Sequence, residues 1–340
     1  MRIACVGMTA SIDAASATIA GRNWTVTLTP SLSPSEIADS HVVVFANQAV
    51  HSPLVDRVPR PRRVAALVES PINRCYRDIE RTAARFPLVC THLRLLLEQG
   101  PPFADCPFGT NWMSVRSADD TQRLLDTPPP KTGDVSFMGS LNHDRSGAYG
   151  FRHEVAEYAA ATDAIDAFGR GIRELADKRD AIAPYRFSIA MENAAEDWYF
   201  TEKLVDCLLM ETVPIYFGCP GIGDRFDRRG LIAFDSLDEL RGIVPTLTPQ
   251  RYDAMRPYVL ENRRLAIAGR WHNHAGLLER IIERIAASPV GRESPLRPIG
   301  AMAASPAAAA IRRLSAAVLP TGRREPSIGQ SPQAGTEVPR

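Results

Sequence analysis

Two charged residues stand together at a point where the sequence predicts the start of a helix. Thr201 is a good N-cap residue, and Glu202 and Lys203 follow it directly. A helix N-terminus has unpaired N–H groups and a positive dipole end, so a lysine there is unfavourable on helix grounds alone. The lysine is explained if an anion such as a diphosphate binds at this end and the ammonium closes over it, with Glu202 facing sugar or ribose hydroxyls. A solvated surface lysine is the alternative that these residues leave open.

The segments around Lys203 predict the framework that would hold it. A short apolar run over 186–191 predicts a buried strand, and a polar loop over 192–199 leads to the helix after Thr201. A second apolar strand is predicted over 213–218, where Cys219-Pro220-Gly221 ends it. Strand, helix and strand in this order are typical of a parallel α/β unit.

A second candidate for chemistry lies in the N-terminal half. Glu69 directly follows a valine-rich strand predicted over 64–68, and Pro71 fixes the turn after it. Open α/β sheets bind their ligands beyond the carboxyl ends of the strands, so this carboxylate is expected to lie in the ligand crevice. A glutamate that only ends the strand is the alternative.

The chain predicts two α/β domains and a tail. Further strands are predicted over 2–7, 24–28 and 42–46, and a capping box, from Ser33 to Glu36, starts a helix between them. Helices are also predicted over 74–86 and 251–286. An Asp/Thr/Pro-rich linker over 117–133 separates an N-terminal domain (1–125) from a C-terminal one (126–287). The Pro-, Ala- and Arg-rich segment 288–340 is predicted to be disordered. Within it, 307–319 could form a helix that contacts an anionic membrane surface, although a solvated tail is the better interpretation.

Composition excludes several classes of protein. A net charge of +1 and 23% charged residues give no indication of nucleic-acid binding. There is no run of about 18 apolar residues and no signal-peptide pattern, so we expect a cytoplasmic protein, with at most peripheral contact at the inner membrane face. The six cysteines have no metal-binding spacing, and we expect free thiols and no metal site. No G-x-G-x-x-G follows the first strand, which argues against a dinucleotide oxidoreductase.

A longer pattern carries a family resemblance. The string begins with Glu192-Asn193 and continues, after six residues, with F-T-E-K, L-V-D-C and T-V-P-I-Y-F-G. It resembles the signature of glycosyltransferase family 10, the α-1,3/4-fucosyltransferases, and most of all its bacterial members. The resemblance is specific over 185–240 and weaker over 63–112 and 135–158. Animal members carry an N-terminal membrane anchor, and no such segment is found here.

The resemblance implies a fold and an activity. The fold would be GT-B-like, with two Rossmann-like, doubly wound domains facing each other across a cleft. The activity would be an inverting transfer of fucose from GDP-fucose to a hydroxyl of a glycan acceptor, such as a lipopolysaccharide or another surface polysaccharide or a protein glycan. No cofactor is implied, and a divalent metal would at most stimulate, since the chain has no D-x-D tripeptide. Another nucleotide hexose as donor, or a non-catalytic nucleotide-sugar-binding protein, are the alternatives.

The resemblance also implies roles for individual residues. Glu69 matches the family's favoured general base, with Glu192 as its chief rival. Arg152 and Lys203 match the diphosphate ligands, and Arg145 is an alternative to Arg152. The remaining matches are to donor sugar and nucleotide contacts: Glu192, Asn193, Tyr199, Thr201 and Glu202. Trp112 could stack on a sugar face, although a tryptophan at a domain edge more often packs.

Overall fold

The first sheet is built from the strand signals of the N-terminal third. The computed structural model describes residues 1–8, 14–19, 21–29, 32–107, 109–115, 117–141 and 148–290. The strands of this sheet are β1 (Arg2–Val6), β2 (Ala14–Ile19), β3 (Arg22–Thr29), β4 (Val42–Ala46), β5 (Arg63–Leu67), β6 (Leu88–Thr91) and β7 (Phe103–Asp105). They lie in the order β2-β3-β1-β4-β5-β6-β7, in which only β2 runs antiparallel to its neighbour.

The second sheet is parallel throughout. Its strands are β8 (Gly133–Met138), β9 (Asp166–Phe168), β10 (Tyr185–Met191), β11 (Val213–Phe217) and β12 (Ile232–Ala233). They lie in the order β12-β11-β10-β8-β9, so β10 is central. The predicted α/β class with two doubly wound, mainly parallel sheets is confirmed.

Helices connect the strands and cover the sheets. They are α1 (Pro34–Asp39), α2 (Ile79–Arg85), α3 (Arg94–Leu97), α4 (Ala118–Asp126), α5 (Ala148–Ala161), α6 (Glu202–Leu209), α7 (Leu237–Ile243), α8 (Pro249–Ala268) and α9 (His274–Ala287). The predicted capping box of α1 is confirmed, because Ser33 and Glu36 exchange side-chain hydrogen bonds with each other's backbone N–H. Among the described helices, none is long and apolar enough to cross a bilayer.

Both faces of the first sheet are buried, which explains its continuous valine runs. In β4, Val43 and Phe45 belong to one apolar cluster, and Val42 and Val44 belong to the cluster on the opposite face. Helix α9 covers this second face with five apolar side chains, namely Leu277, Leu278, Ile281, Ile282 and Ile285. The chain therefore returns to the first sheet after completing the second one.

Three predicted segments differ from the structure. The predicted linker contains the helix α4, whose capping box joins Ser117 to Asp120. Leu124 of this helix is buried in the apolar cluster that packs around the second sheet. The helix predicted over 74–86 is interrupted at Asp78, which adopts a left-handed backbone conformation with φ of 51°. The long helix predicted over 251–286 is divided into α8 and α9 by a turn at 269–273.

The predicted domain boundaries and the predicted disorder of the tail stay predictions. The predicted C-terminal domain includes α9, although the apolar face of this helix packs on the first sheet. At the start of the predicted tail, Val290 is buried in the same cluster. The rest of that tail, from residue 291 onwards, lies outside the described residues.

Candidate functional site

Two neighbouring cavities lie at the carboxyl ends of the strands. The first, which we call the cleft cavity, has a volume of about 350 Å³ and is lined from both α/β units. The first unit contributes Asn47 and Glu69 to it, and the second unit contributes the start of α6. The other, which we call the basic cavity, has a volume of about 430 Å³ and lies in the second unit. Trp112 and Lys203 line both cavities, so the two spaces meet at these side chains.

The start of α6 is held by a buried carboxylate. Thr201 is the N-cap, and its hydroxyl accepts a hydrogen bond from the backbone N–H of Lys203. Glu192, which directly follows β10, is fully buried and accepts hydrogen bonds from the backbone N–H (2.8 Å) and the hydroxyl (2.6 Å) of Thr201. Burial raises the pKa of the Glu192 carboxyl, and Lys203 and the Thr201 hydrogen bonds oppose this only in part. Glu192 therefore fixes the turn from which the helix starts.

Close packing against Glu192 explains a glycine in the T-V-P-I-Y-F-G string. A Cβ atom on Gly218 would lie 2.6 Å from Cγ of Glu192 and 2.5 Å from the hydroxyl of Tyr216. Real Cβ atoms do not approach that closely, so any side chain here would displace the glutamate.

Lys203 lies among carboxylates at the meeting point of the cavities. Its ammonium donates hydrogen bonds to Glu202 (2.8 Å) and to the Thr201 hydroxyl (3.2 Å) and lies 3.9 Å from Glu192. Burial lowers its pKa, but the negative charges of Glu202 and Glu192 outweigh this effect and the pKa is raised overall. The side chain is thus a firmly charged cation at the helix N-terminus.

Arg152 lies on α5, in the basic cavity. Its Nη1 donates to the backbone carbonyl of Met191 (2.6 Å) and to the side-chain oxygen of Asn193 (2.7 Å). These bonds join α5 to the loop after β10. Arg152 is near enough to Lys203 for its positive charge to lower the pKa of that lysine. Two cations therefore converge on one region, as a diphosphate site requires.

Glu69 lies on the opposite side of the cleft cavity, just beyond β5. Its carboxylate reaches solvent, yet the surrounding protein removes part of its hydration and raises its pKa. Glu202 raises that pKa further, whereas Lys203 lowers it. Tyr199 is buried, lines the same cavity, and packs on His92 of the first unit with a ring-centroid distance of 4.8 Å.

All but one of the predicted site residues that the structure describes line one of the two cavities. Six of them line the cleft cavity: Glu69, Asn193, Tyr199, Thr201, Glu202 and Lys203. Arg152 lines the adjoining basic cavity. Glu192 differs, because the structure buries it beneath Thr201 rather than at a cavity wall, which fits a supporting role better than direct donor contact or proton abstraction. The alternative Arg145 lies outside the described residues, and all the predicted roles stay predictions.

The middle of the chain matches a known family. Residues 129–229 match the family description "Glycosyltransferase family 10 (fucosyltransferase) C-term". The segment includes β8 to β11, Arg152 and Lys203. This segment of the chain is therefore similar to the C-terminal part of the family 10 glycosyltransferases. This confirms the resemblance seen in the sequence, whose most specific part falls mainly within these residues.

Individual relatives match parts of the chain. The α-(1,3)-fucosyltransferase FucT of Helicobacter pylori is 24% identical over 119 residues, which are 34% of this chain and 24% of that protein. The GDP-fucose protein O-fucosyltransferase 3 of Bos taurus is 49% identical over 43 residues, 13% of this chain and 9% of that protein. The chain thus spans a quarter or less of these two relatives.

A solved structure supports the fold over most of the chain. A crystal structure of an α1,3-fucosyltransferase superposes with a TM-score of 0.50 at 14% identity, covering 88% of this chain and 91% of that one. Because this superposition covers 88% of the chain, it extends over both sheets. The segment matched by the family description contains strands of the second sheet only. At this identity the likeness concerns the fold alone.

Two residues at the site were not predicted as site residues from the sequence. Lys178 lines the basic cavity beside the family 10 residues Arg152 and Lys203, yet it lies in an ordinary polar stretch. Asp206, one turn after Glu202, is almost fully buried and accepts a hydrogen bond from the backbone N–H of Trp112 at 2.9 Å. Within the described part of the chain, no group of three or more His, Cys, Asp or Glu residues could hold a metal ion.

Proposed function

We propose that this chain is an inverting glycosyltransferase that moves fucose from GDP-fucose to a hydroxyl of a glycan acceptor without a metal cofactor. The family 10 match supports the transferase class, and the names of the two relatives support fucose and GDP-fucose. One observation carries the proposal: a carboxylate from the first unit, Glu69, and the ammonium of Lys203 from the second unit line one cavity. An acceptor hydroxyl and a departing diphosphate need groups of these two kinds.

Glu69 is the general base in this proposal. It removes the proton of the acceptor hydroxyl while that oxygen forms a bond to the anomeric carbon and the bond from this carbon to the diphosphate breaks. A positioned base contributes on the order of 10²–10⁴-fold to the rate. The rival Glu192 has both carboxylate oxygens bonded to Thr201 and lies away from the cavity surface. The geometry therefore favours Glu69.

The leaving diphosphate is held by fixed positive groups. Lys203 and Arg152 supply full charges, and the N–H groups at the start of α6 supply the positive end of a helix dipole. Stabilisation that is already in place costs no reorganisation when charge develops on the leaving group. Asn193, which accepts a hydrogen bond from Arg152, and Tyr199 line the cleft cavity and contact the donor in this proposal.

The reducing interior of a cell is the proposed compartment. All six cysteines are unpaired and buried, which is typical of proteins kept in their thiol form. A cytoplasmic location is therefore part of the proposal.

Three variants test the assigned roles. Glu69→Gln should lose transfer while keeping GDP affinity, because the amide is isosteric but cannot accept the proton. Lys203→Ala and Arg152→Ala should each weaken GDP binding and transfer by at least tenfold, since each removes a charged phosphate contact. Arg264→Ala, at an exposed surface pair with Glu261, is the control and should behave like the wild type.

The outcomes separate the parts of the proposal. Transfer at a normal rate by Glu69→Gln would refute the base, and unchanged GDP affinity in both cation variants would refute the diphosphate site. Release of nucleoside diphosphate from a panel of nucleotide sugars identifies the donor, and preference for another hexose would replace GDP-fucose while keeping the reaction. Full activity after dialysis against EDTA is expected, and a lost activity restored by a divalent cation would contradict metal independence.

A further inference from the structure

An exposed tryptophan occupies the junction of the two cavities. Trp112 is 46% exposed, which makes it unusual among the large apolar side chains described. Its ring lines both the cleft cavity and the basic cavity. The ammonium of Lys178 lies 3.1 Å from the centre of this ring, and that of Lys203 lies 5.6 Å away. One face of the ring is thus occupied by a cation.

The backbone at Trp112 is fixed even though its ring is exposed. Its N–H is held by the buried carboxylate of Asp206, on α6. Asn111 closes the adjacent turn, because its side-chain oxygen accepts from the N–H groups of Met113 (3.0 Å) and Val115 (3.1 Å). The backbone position of Trp112 is therefore set, and a movement of Lys178 would uncover the ring without any change in this backbone.

Lys178 has no carboxylate of its own among the described residues: its ammonium rests on the ring and forms no ion pair there. The side chains lining the basic cavity carry four positive charges, on Arg152, Arg170, Lys178 and Lys203, and one negative charge, on Glu174. Burial lowers the pKa of Lys178, and Glu202 and Asp206 oppose this shift. A cation that forms no ion pair with the described residues and lines an electropositive cavity is suited to an anion that arrives from solution.

We propose that Lys178 is a third ligand of the donor diphosphate and that it leaves the Trp112 ring when the diphosphate enters, which frees the ring face for a sugar. The inference rests on the proposed function, since it concerns the same donor. A phosphate oxygen carries a full negative charge and accepts a hydrogen bond, so it attracts an ammonium more strongly than the ring does. The uncovered indole face then offers an apolar surface to the C–H groups of a sugar ring in either cavity.

Tryptophan fluorescence tests the movement directly. Inorganic pyrophosphate is the first probe, because it carries the diphosphate charge without a base or a sugar, and GDP is the second. Both should change the emission of the wild-type protein, as a cation departs from an exposed indole. Trp112→Phe should abolish this change, whereas Trp198→Phe, at another partly exposed tryptophan, should retain it. A change that survives in Trp112→Phe, or none in the wild type, would overturn the inference.

Affinity tests the contact to the diphosphate. Lys178→Met keeps the length of the side chain but not its charge, and we expect it to bind pyrophosphate and GDP about tenfold more weakly and to give no Trp112-dependent emission change. Lys178→Arg should retain most of the affinity, because it keeps the charge. Wild-type affinity in Lys178→Met would show that the lysine only packs on the ring.

The two probes separate this inference from the proposed function. If pyrophosphate gives the Lys178-dependent change and GDP does not bind, the donor assignment fails while the role of Lys178 stands. If both bind equally well to the wild type and to Lys178→Met, the donor site stands and the role of Lys178 fails.

Discussion

Replacing His92 by phenylalanine should stabilise the protein. His92 is fully buried, and neither of its ring nitrogens has a hydrogen-bond partner among the described residues. Its ring packs between Tyr199, at a centroid distance of 4.8 Å, and Tyr76, at 6.3 Å. A phenylalanine ring has nearly the same shape, so His92→Phe keeps these contacts and removes two unsatisfied polar atoms. An unsatisfied buried polar group costs about 1–3 kcal/mol, and we expect a gain of about 1.5 kcal/mol at pH 7.

The gain should grow as the pH falls. Burial lowers the pKa of His92 to about 3, whereas an unfolded histidine has a pKa of about 6.5. Between these values the unfolded state binds a proton that the folded state does not, so this residue makes the wild type less stable as the pH drops. At pH 5 the additional cost is about 2 kcal/mol, which follows from roughly 1.5 pH units at about 1.36 kcal/mol each. The variant lacks this cost.

Urea unfolding at pH 7 and pH 5 measures both effects. His92→Phe should exceed the wild type by about 1.5 kcal/mol at pH 7 and by about 3.5 kcal/mol at pH 5. His92→Gln is the control, because it cannot titrate but keeps an unsatisfied polar group, so it should lose the pH dependence without the gain at pH 7. Equal stability of His92→Phe and the wild type at both pH values would refute the reasoning. It would mean that the ring nitrogens of His92 are hydrogen-bonded in the folded protein, or that the buried imidazole takes up a proton without loss of stability.

Three further outcomes follow from the site and its supporting contacts. Thr201→Val should lower the free energy of unfolding by about 2 kcal/mol, because it removes the N-cap oxygen and a hydroxyl donor to a buried carboxylate; Thr201→Ser should not, and equal urea midpoints would contradict this. The kcat/KM for transfer should fall as the pH drops through the raised pKa of Glu69, and Glu202→Gln, which removes a neighbouring negative charge, should shift this acidic limb to lower pH; an unmoved limb would count against Glu69 as the base. Glu211→Gln should cost about 3 kcal/mol in thermal unfolding, because it leaves the buried Arg263 without its carboxylate, and a loss below about 1 kcal/mol would disprove that pairing.

Local features of the site could be predicted because their physics is local. The N-cap at Thr201 depends on a hydroxyl two residues before the N–H that it accepts from, so the sequence shows it directly. The strand over 42–46 and the capping box at Ser33 were predictable for the same reason. The helix α4 was missed because its aspartates and the three prolines that follow it, Pro128 to Pro130, favour a linker, although Ser117 and Asp120 form a capping box of their own.

The orientation of buried charges could not be predicted in the same way. Glu192 and Glu202 are both glutamates of one motif, yet the first is enclosed beneath Thr201 and the second faces a cavity. Gly218, which directly follows the neighbouring strand β11, leaves room for the Glu192 carboxylate to turn inward. The position of Lys178 at the site could not be predicted either, since only tertiary packing brings its ammonium onto the Trp112 ring.

By itself the sequence determined two α/β units, the strands and helix starts that present the charged residues, and a family resemblance centred on 185–240. Hydrophobic periodicity and helix capping depend on residues only a few positions apart, so they can be predicted from the sequence. Only the tertiary structure decided that Glu69 and Lys203 share a cavity, that Glu192 supports rather than lines it, and that α9 returns to the first sheet. These arrangements depend on how two buried surfaces pack against each other, and contacts between distant segments have no signature in local spacing.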